Sequence, residues 1–414
     1  MGRIRWLLVV FFAAAVCVSA RTVLAQSKEI EKLIAQYVEA SDTDRPAILA
    51  KLKARDKISK SDVTKWANFT GKLLLAKGTH EGKDVSTLHD KEHPVKYKLI
   101  GNRKGKKMSL LVVLHGGGGT PVNEDAWQNM IAMTEALRPK YDLIAIPRIW
   151  SGMEASWGTN AGIGYIPVMI DEIKRTYSID TNRIYLYGSS MGGYGVSCLG
   201  AACADRFAAM AALCSVSDYD GACENLMNTP VTTHMGARDT DIDRIGKARR
   251  FKERMEELQK RWPDSYKMLY KEYPDGGHSL PQEATVEMLE WMTRFTRVPL
   301  PRTVVWKGFL NAERKPVDTT HFFWLAVESP KAEMRLEAAI KDKGVIEVKT
   351  EEVGRFTIFL NDKLVDLNKP LTVTVNGKTA FQGKPALSLS AVVESVVAKE
   401  DPEMMFTARI DLGE

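Results

Sequence analysis

The stretch Tyr185–Gly195, YLYGSSMGGYG, decides the interpretation of the fold, because in it a β-prone run meets a glycine-rich run. Gly188 and Gly192 lie two residues before and two residues after Ser190, which fits the pattern G-x-S-x-G. The neighbouring Ser189 does not fit, since larger residues would occupy the two glycine positions. Small residues are needed there because the chain turns sharply from a strand into a helix and holds the serine in a strained conformation. The stretch therefore predicts a strand–turn–helix unit with Ser190 as candidate nucleophile.

Apolar runs without alternation recur on both sides of this stretch, separated by segments with helical periodicity. Such runs are typical of strands that are buried on both faces of a sheet. Strands that alternate with helices predict a mainly parallel sheet flanked by helices, with functional residues after the carboxyl ends of the strands. The runs cover residues 108–117, 142–149, 183–188, 207–216, 230–237 and 266–274.

A serine nucleophile needs a general base, and the base needs an acid that orients it. His278 is the best candidate base, because it lies in the glycine-containing loop YPDGGHSLP after a predicted strand. The acid is expected between Ser190 and His278, where HMGARDTDID offers Asp239, Asp241 and Asp243. We favour Asp239, which comes first after its strand, and keep Asp241 as the alternative. Asp243 is expected to cap the following helix.

The run HGGGGT (115–120) follows the first central strand and exposes backbone N–H groups that no side chain covers. We expect the N–H groups of Gly117 and Met191 to donate hydrogen bonds to a developing oxyanion, with Gly118 as an alternative donor. His115 is expected to orient this loop. The run lacks G-x-G-x-x-G at a helix start and G-K-[ST], so it does not predict nucleotide binding.

Four aromatic residues follow predicted strands or the serine turn and are candidates for the wall of a substrate pocket. Packing in the core is the alternative for each of them. The expected chemistry requires no cofactor and no metal, and the cysteines lack the spacing of a zinc site. The four candidates are Trp150, Trp157, Tyr194 and Tyr219.

The segments LLVVLHGGGG, RIYLYGSSMGGYG, ENLMNTPVTTHMGARD and YPDGGHSLP resemble the α/β-hydrolase superfamily over residues 96–296. The resemblance is closest to secreted carboxylesterases of the polyhydroxybutyrate depolymerase, feruloyl esterase and dienelactone hydrolase-like group. It implies an α/β-hydrolase fold and hydrolysis of carboxylic esters, on acylated polysaccharide or polyester, through a Ser–His–Asp triad. The valine and proline common after the family's acid are missing after Asp239, which leaves Asp241 open. The cysteine nucleophile of dienelactone hydrolases is absent, which argues against that activity.

Two other functions remain open at this point. A serine peptidase of the prolyl-oligopeptidase type uses the same triad on the same fold, but it would carry a propeller where residues 26–96 are short and helical. A non-catalytic glycan-binding or envelope protein with a relic hydrolase domain is the second alternative. The complete set of Ser190, Asp239 and His278 argues against it.

The first 25 residues predict a signal peptide. Arg3 and Arg5 precede the apolar stretch Trp6–Val18, and the small-residue site VLA precedes Gln26. An apolar stretch of 13 residues is shorter than the roughly 20 that span a bilayer, although an uncleaved anchor is the alternative. We expect a secreted or periplasmic chain without a membrane span. Its net charge of +6, about half of it in the leader, is too small to predict binding to nucleic acid.

The sequence divides into four segments by composition. We expect a signal peptide (1–25), a helical N-terminal region (26–95), a catalytic α/β domain (96–299) and an all-β, sandwich-like C-terminal domain (300–414). Asn376-Gly377 between two β-prone runs predicts a hairpin in the last segment, for which we favour a structural cap over a glycan-binding surface. Four cysteines after the leader allow two disulfides in three pairings, or free buried thiols: Cys198, Cys203, Cys214 and Cys223.

Overall fold

The computed structural model describes residues 25–87, 96–117, 124–149, 157–217, 221–341 and 344–413. The N-terminal part is helical, as expected, and α3 begins with a capping box between Ser59 and Asp62. None of the helices in these ranges is long and apolar enough to cross a membrane. The N-terminal helices are α1 (25–39), α2 (Arg45–Lys53) and α3 (Lys60–Leu75).

An eight-stranded sheet forms the centre of the molecule, in the order β1-β2-β4-β3-β5-β6-β7-β8. Strands β3 to β8 are parallel, while β1 and β2 are antiparallel to their neighbours. The expectation of a mainly parallel sheet is confirmed. The strands are β1 (Val85–Thr87), β2 (Lys96–Gly101), β3 (Met108–Leu114), β4 (Leu143–Pro147), β5 (Ile179–Ser189), β6 (Ala209–Leu213), β7 (Val231–Gly236) and β8 (Met268–Tyr273).

The sheet is covered on both faces. In β3, Leu110 and Val112 belong to one hydrophobic core, and the alternate residues Leu111 and Val113 belong to another. The first core contains residues of α5, α6 and α7, and the second contains residues of α4 and α8. This two-sided burial is why the sequences of β3, β4 and β6 are almost entirely apolar. The helices are α4 (Glu124–Leu137), α5 (Asn160–Thr176), α6 (Met191–Ala202), α7 (Arg244–Arg261) and α8 (Gln282–Met292).

The chain after Pro299 contains two further sheets, with the orders β10-β11-β14-β17 and β16-β15-β13-β12-β9. The predicted hairpin joins β15 to β16, and Asn376 and Gly377 have φ of 49° and 79°, which such two-residue turns require. The strands are β9 (Thr303–Lys307), β10 (His321–Phe322), β11 (Leu325–Val327), β12 (Arg335–Ile340), β13 (Val345–Glu351), β14 (Phe356–Leu360), β15 (Leu371–Val375), β16 (Lys378–Gly383) and β17 (Ala408–Leu412).

Two expectations about the flanking segments are only partly correct. β1 lies within the N-terminal region that was expected to be helical, and it is fixed by antiparallel pairing with β2. The C-terminal segment is not all-β, because Leu389–Lys399 forms a helix, α9. Its valines favour a strand locally, but Leu389, Val392 and Val393 pack against the N-terminal helices. Tertiary contacts therefore override local propensity.

The C-terminal part shares its interior with the α/β part. Trp306, Phe322 and Trp324 belong to the same core as α5, α6 and α7. With Phe323, these aromatic side chains are at most 3% exposed, so they do not form a surface for glycan, and their burial favours a cap. The four cysteines after the leader are free and buried, and no disulfide joins them.

Candidate active site

Ser190 lies in the turn between β5 and α6, as the G-x-S-x-G pattern predicts. Its φ and ψ of 56° and −118° are rare for a residue with a side chain. The turn is fixed by hydrogen bonds on both sides, because the Ser190 N–H donates to the Leu213 carbonyl at 2.9 Å and the Ser190 carbonyl accepts from Gly193 N–H at 2.8 Å. The side chain at this position is therefore held away from the sheet and helix by the backbone itself.

The glycines around Ser190 are required by close backbone approaches. A Cβ at Gly188 would lie 2.2 Å from the Gly192 carbonyl oxygen, and a Cβ at Gly192 would lie 2.2 Å from the Leu114 carbonyl oxygen. Real Cβ atoms do not approach other atoms so closely, and backbone atoms cannot swing away. Only glycine fits at either position.

His278 contacts both other members of the expected triad. Its Nε2 lies 2.8 Å from Ser190 Oγ, and its Nδ1 lies 2.7 Å from Asp239 Oδ2. A carboxylate only accepts hydrogen bonds, so Nδ1 carries the proton and Nε2 is left to accept from the serine hydroxyl. The loop that carries His278 packs tightly on the end of β7, since a Cβ at Gly236 would lie 2.1 Å from the Gly277 carbonyl oxygen.

The three candidate acids differ sharply in their surroundings. Asp239 is 3% exposed and is the one that contacts His278. The Asp241 side chain is 87% exposed and lies 3.8 Å from Arg244. Asp243 is the residue directly before α7. Contrary to the expectation, its side chain does not cap the helix. Its left-handed φ of 60° accompanies a side chain that pairs with Arg250 at 2.9 Å instead.

Of the expected oxyanion donors, Met191 directly follows Ser190 in the sequence, and Gly117 directly follows Gly116. Met191 is the first residue of α6, so its N–H has no acceptor within the helix. Gly116 lies against the serine, because a Cβ there would be 3.2 Å from Ser190 Cβ and 3.8 Å from Oγ. Gly117 follows it with φ of 123°, a conformation that favours glycine. The alternative donor Gly118 lies outside the described residues.

His115 is fully buried and joins two loops of the site. Its Nδ1–H donates to the Gly116 carbonyl at 2.7 Å, and its Nε2 accepts from the Ile149 N–H at 3.2 Å. Burial lowers the pKa of His115 to about 4, so the ring is neutral at pH 7. Its hydrogen bonds agree with the expectation that it orients the glycine loop.

Two of the four pocket candidates, Trp157 and Tyr194, lie within the described residues. Trp157 is fully buried, its Nε1–H donates to the His115 carbonyl at 3.0 Å, and it packs behind the glycine loop rather than lining an open pocket. The hydroxyl of Tyr194 is buried, and the charges of Arg244 and Asp239 act on it. Trp150 and Tyr219 lie outside the described residues.

Arg244 is the residue that sequence reasoning missed. Its Nη1 lies 3.0 Å from Asp239 Oδ1, on the side of the carboxylate away from His278. One signal was present, because α7 begins with this arginine and has no acidic residue in its first turn. A cation is disfavoured at that end of a helix, which indicates another partner. Within the described ranges, no group of three or more His, Cys, Asp or Glu side chains is arranged to hold a metal.

No protein-family model matches this chain, and no curated protein sequence matches it. Solved structures similar to it include a thermostable esterase, 21% identical with a TM-score of 0.41, over 51% of this chain and 63% of that one. A ferulic acid esterase is 18% identical with a TM-score of 0.40, over 51% and 97%. Dipeptidyl peptidase 4 of Porphyromonas gingivalis is 11% identical with a TM-score of 0.40, over 52% and 36%. The chain thus spans less than two-thirds of the first and third of these proteins, and such scores carry no argument about function.

Proposed function

We propose that this protein is a serine hydrolase that cleaves carboxylic esters, with Ser190 as nucleophile, His278 as general base and Asp239 as the orienting acid. One observation carries the proposal: the hydrogen bonds from Ser190 Oγ to His278 Nε2 and from His278 Nδ1 to Asp239 Oδ2 form an unbroken chain of 2.8 and 2.7 Å. The chain ends on a serine strained at φ 56° between a strand and a helix. This arrangement supports an α/β-hydrolase fold for residues 96–299.

The geometry supports a two-step acyl transfer. His278 takes the proton of Ser190 as Oγ attacks the ester carbonyl, and Asp239 stabilises the imidazolium that forms. The N–H groups of Met191 and Gly117 donate to the oxyanion of the tetrahedral intermediate. His278 then protonates the leaving alcohol, and a water activated by the same ring hydrolyses the acyl-enzyme.

Acylated polysaccharide or polyester is the substrate class that the sequence resemblance and the predicted leader favour. A peptidase of the prolyl-oligopeptidase type remains the second candidate because it uses the same triad. Residues 25–87 form three helices and one strand, so this described segment does not contain the propeller of that type. A non-catalytic role is disfavoured by the contact between Ser190 and His278.

The adjacent serines provide a matched test of the proposal. We expect wild type and Ser189→Ala to hydrolyse p-nitrophenyl acetate and to react with a fluorophosphonate probe. Ser190→Ala should lose the labelling and at least about 10³-fold of the activity. Labelling of Ser190→Ala equal to wild type would refute the nucleophile. Faster turnover of an aminoacyl p-nitroanilide than of the ester would favour the peptidase.

Export is proposed from the leader, whose residues 1–24 lie outside the described ranges. We expect the mature chain to begin at Gln26 and to be recovered outside the cytoplasm. Intact-mass measurement of the protein from the periplasm and the medium tests this. A full-length mass with Met1 retained would contradict cleavage.

A further inference from the structure

The carboxylate of Asp239 has two hydrogen-bond partners. Only one of them, His278, belongs to the series of hydrogen bonds that leads to Ser190. Oδ2 faces His278 Nδ1 at 2.7 Å, and Oδ1 faces Arg244 Nη1 at 3.0 Å. The side chains of Asp239 and Arg244 are 2% and 17% exposed, so water screens this contact only weakly. With both oxygens engaged, the carboxylate cannot rotate without breaking a charged hydrogen bond.

The local backbone is arranged around this contact. Ile242 and Asp243, directly before Arg244, both have left-handed φ, 46° and 60°. A β-branched residue rarely adopts this conformation, and strain of this kind concentrates at functional sites. The Ile245 N–H donates to the Asp239 carbonyl at 3.1 Å, which ties the start of α7 to the acid. The turn thus places a cation against Asp239 although the helix end disfavours it.

The other ionisable groups around Asp239 leave Arg244 as its main charged neighbour besides His278. Burial raises the pKa of the Cys214 thiol to about 12 and also raises the pKa of Tyr194, so both are neutral at ordinary pH. The other charged groups on the loops that carry Asp239 and His278 and in the first turn of α7 are partly or fully exposed, so water screens them. They are Arg238, Asp241, Asp243, Lys247 and Asp275.

We propose that Arg244 is a positioning residue for the reaction and acts through Asp239, an inference that rests on the proposed function. Its guanidinium holds Oδ1 so that Oδ2 stays in line with the Nδ1–H of His278. Its charge offsets part of the carboxylate charge that would otherwise stabilise protonated His278. Because catalysis needs the unprotonated ring, Arg244 extends activity toward lower pH.

The test compares Arg244→Gln, Arg244→Lys and the control Arg249→Gln in the full-length mature chain. Arg249 lies on the same helix and pairs with Glu272 at an exposed position. The substitution Arg249→Gln therefore removes the same charge at a place away from Asp239. For Arg244→Gln, we expect kcat on p-nitrophenyl acetate to fall about 10- to 100-fold with KM within about twofold. The acid limb of its kcat/KM profile should move to higher pH, because the positive charge beside Asp239 is lost. Arg244→Lys keeps the charge and should keep the wild-type limb, while Arg249→Gln should match wild type.

The outcomes separate this inference from the proposed function. An acid limb that stays in place in Arg244→Gln, or that moves equally in Arg249→Gln, overturns the role of Arg244. If Arg244→Gln does not fold, Arg244→Lys decides: a shifted limb in that variant refutes the role of the charge. Wild-type hydrolysis that Ser190→Ala abolishes upholds the proposed function in either case, and its absence in wild type refutes that function instead.

Discussion

At the scale of single residues, the geometry of the site depends on glycines, which have no side chain. Gly188 and Gly192 allow the backbone approaches that strain Ser190, and Gly116 leaves room beside its hydroxyl. A serine held in such a strained turn is pre-positioned, so no conformational change is needed to expose Oγ. The G-x-S-x-G register therefore reflects a steric requirement of the turn.

Alanine at Gly192 tests that requirement. Its Cβ would lie 2.2 Å from the Leu114 carbonyl oxygen, so we expect a loss of folding free energy of at least about 2 kcal/mol, or no soluble protein. Gly164→Ala is the control, because nothing lies within 4 Å of its Cβ and it is in the middle of α5. It should stabilise the chain by about 0.5–1 kcal/mol. Urea unfolding measures the change in stability of both variants, and equal changes would contradict the steric account.

The identity of the acid can be tested in the same pairwise way. Asp239→Asn keeps the shape of the side chain but removes the charge that fixes the His278 tautomer, and we expect kcat to fall about 10⁴-fold. Asp241→Asn changes an 87% exposed carboxylate and should stay within a few-fold of wild type. A larger loss in Asp241→Asn than in Asp239→Asn would reverse the assignment.

The contact between Ser190 and His278 was foreseeable, and Asp239 was favoured while Asp241 stayed open, whereas the contact of Arg244 with Asp239 was not foreseen. Glycine spacing and strand order indicate which turn each residue occupies, and parallel strands bring these turns together. Asp239 and Asp241 are two residues apart in one turn, so only its three-dimensional course decides which carboxylate faces His278. The partner of Arg244 and the burial of Trp157 depend on packing between separate elements, which periodicity does not encode.

At the scale of elements, apolar runs in the sequence predicted β3 to β8 of the central sheet, but local propensity failed for α9. Strands β3, β4, β6 and β7 are mostly apolar or β-branched and are buried along their whole length, so local and tertiary preferences agree. In Leu389–Lys399 they conflict, because valines favour a strand but apolar residues at i, i+3 and i+4 match the groove of the N-terminal helices. Asp56 settles the helix start by accepting from the Ser390 N–H at 2.7 Å.

Strand β7 carries a titratable group that should make folding sensitive to acid. His234 is fully buried, and burial lowers its pKa to about 4 from the roughly 6.5 of an exposed histidine. Between these values the unfolded chain binds a proton that the folded chain does not. Stability is therefore complete above about pH 6.5 and falls as the pH drops toward 4, by up to roughly 3 kcal/mol.

His234→Phe tests this by replacing the histidine with a ring that does not titrate. We expect the free energy of unfolding to fall less between pH 7.5 and 4.5, values spanning about this window, than in wild type. The pKa of His115 is lowered to about the same value, so this histidine should preserve about half of the pH dependence of stability in the variant. Urea titrations at both pH values measure the difference. An unchanged pH dependence in His234→Phe would show that other groups cause it.

At the scale of the whole molecule, the C-terminal part is joined to the α/β part by buried charges as well as by apolar contacts. Arg297, just after α8, pairs with Asp401 at 2.5 Å, and Lys399 at the end of α9 pairs with Asp205 at 2.6 Å. The side chains of all four are at most 8% exposed. Near the site, Ala312 N–H donates to the Gly158 carbonyl at 3.0 Å, beside Trp157. These contacts favour one cooperative unit over two independent domains.

Asp401→Asn tests that cooperativity, because it leaves the charge of Arg297 buried without its carboxylate partner. Loss of one partner from a buried pair costs about 3–5 kcal/mol, so we expect a destabilisation of that size. The control is Asp366→Asn, in the same C-terminal part, whose carboxylate is 47% exposed beside Lys369 and whose loss should leave stability close to that of wild type. Unfolding in urea is followed by tryptophan fluorescence and by ester hydrolysis at Ser190.

If the chain is one unit, both signals shift together in Asp401→Asn, because the loss of the C-terminal contacts unfolds the active site with them. A fluorescence transition that moves while the activity transition stays in place would show that residues 96–299 fold on their own.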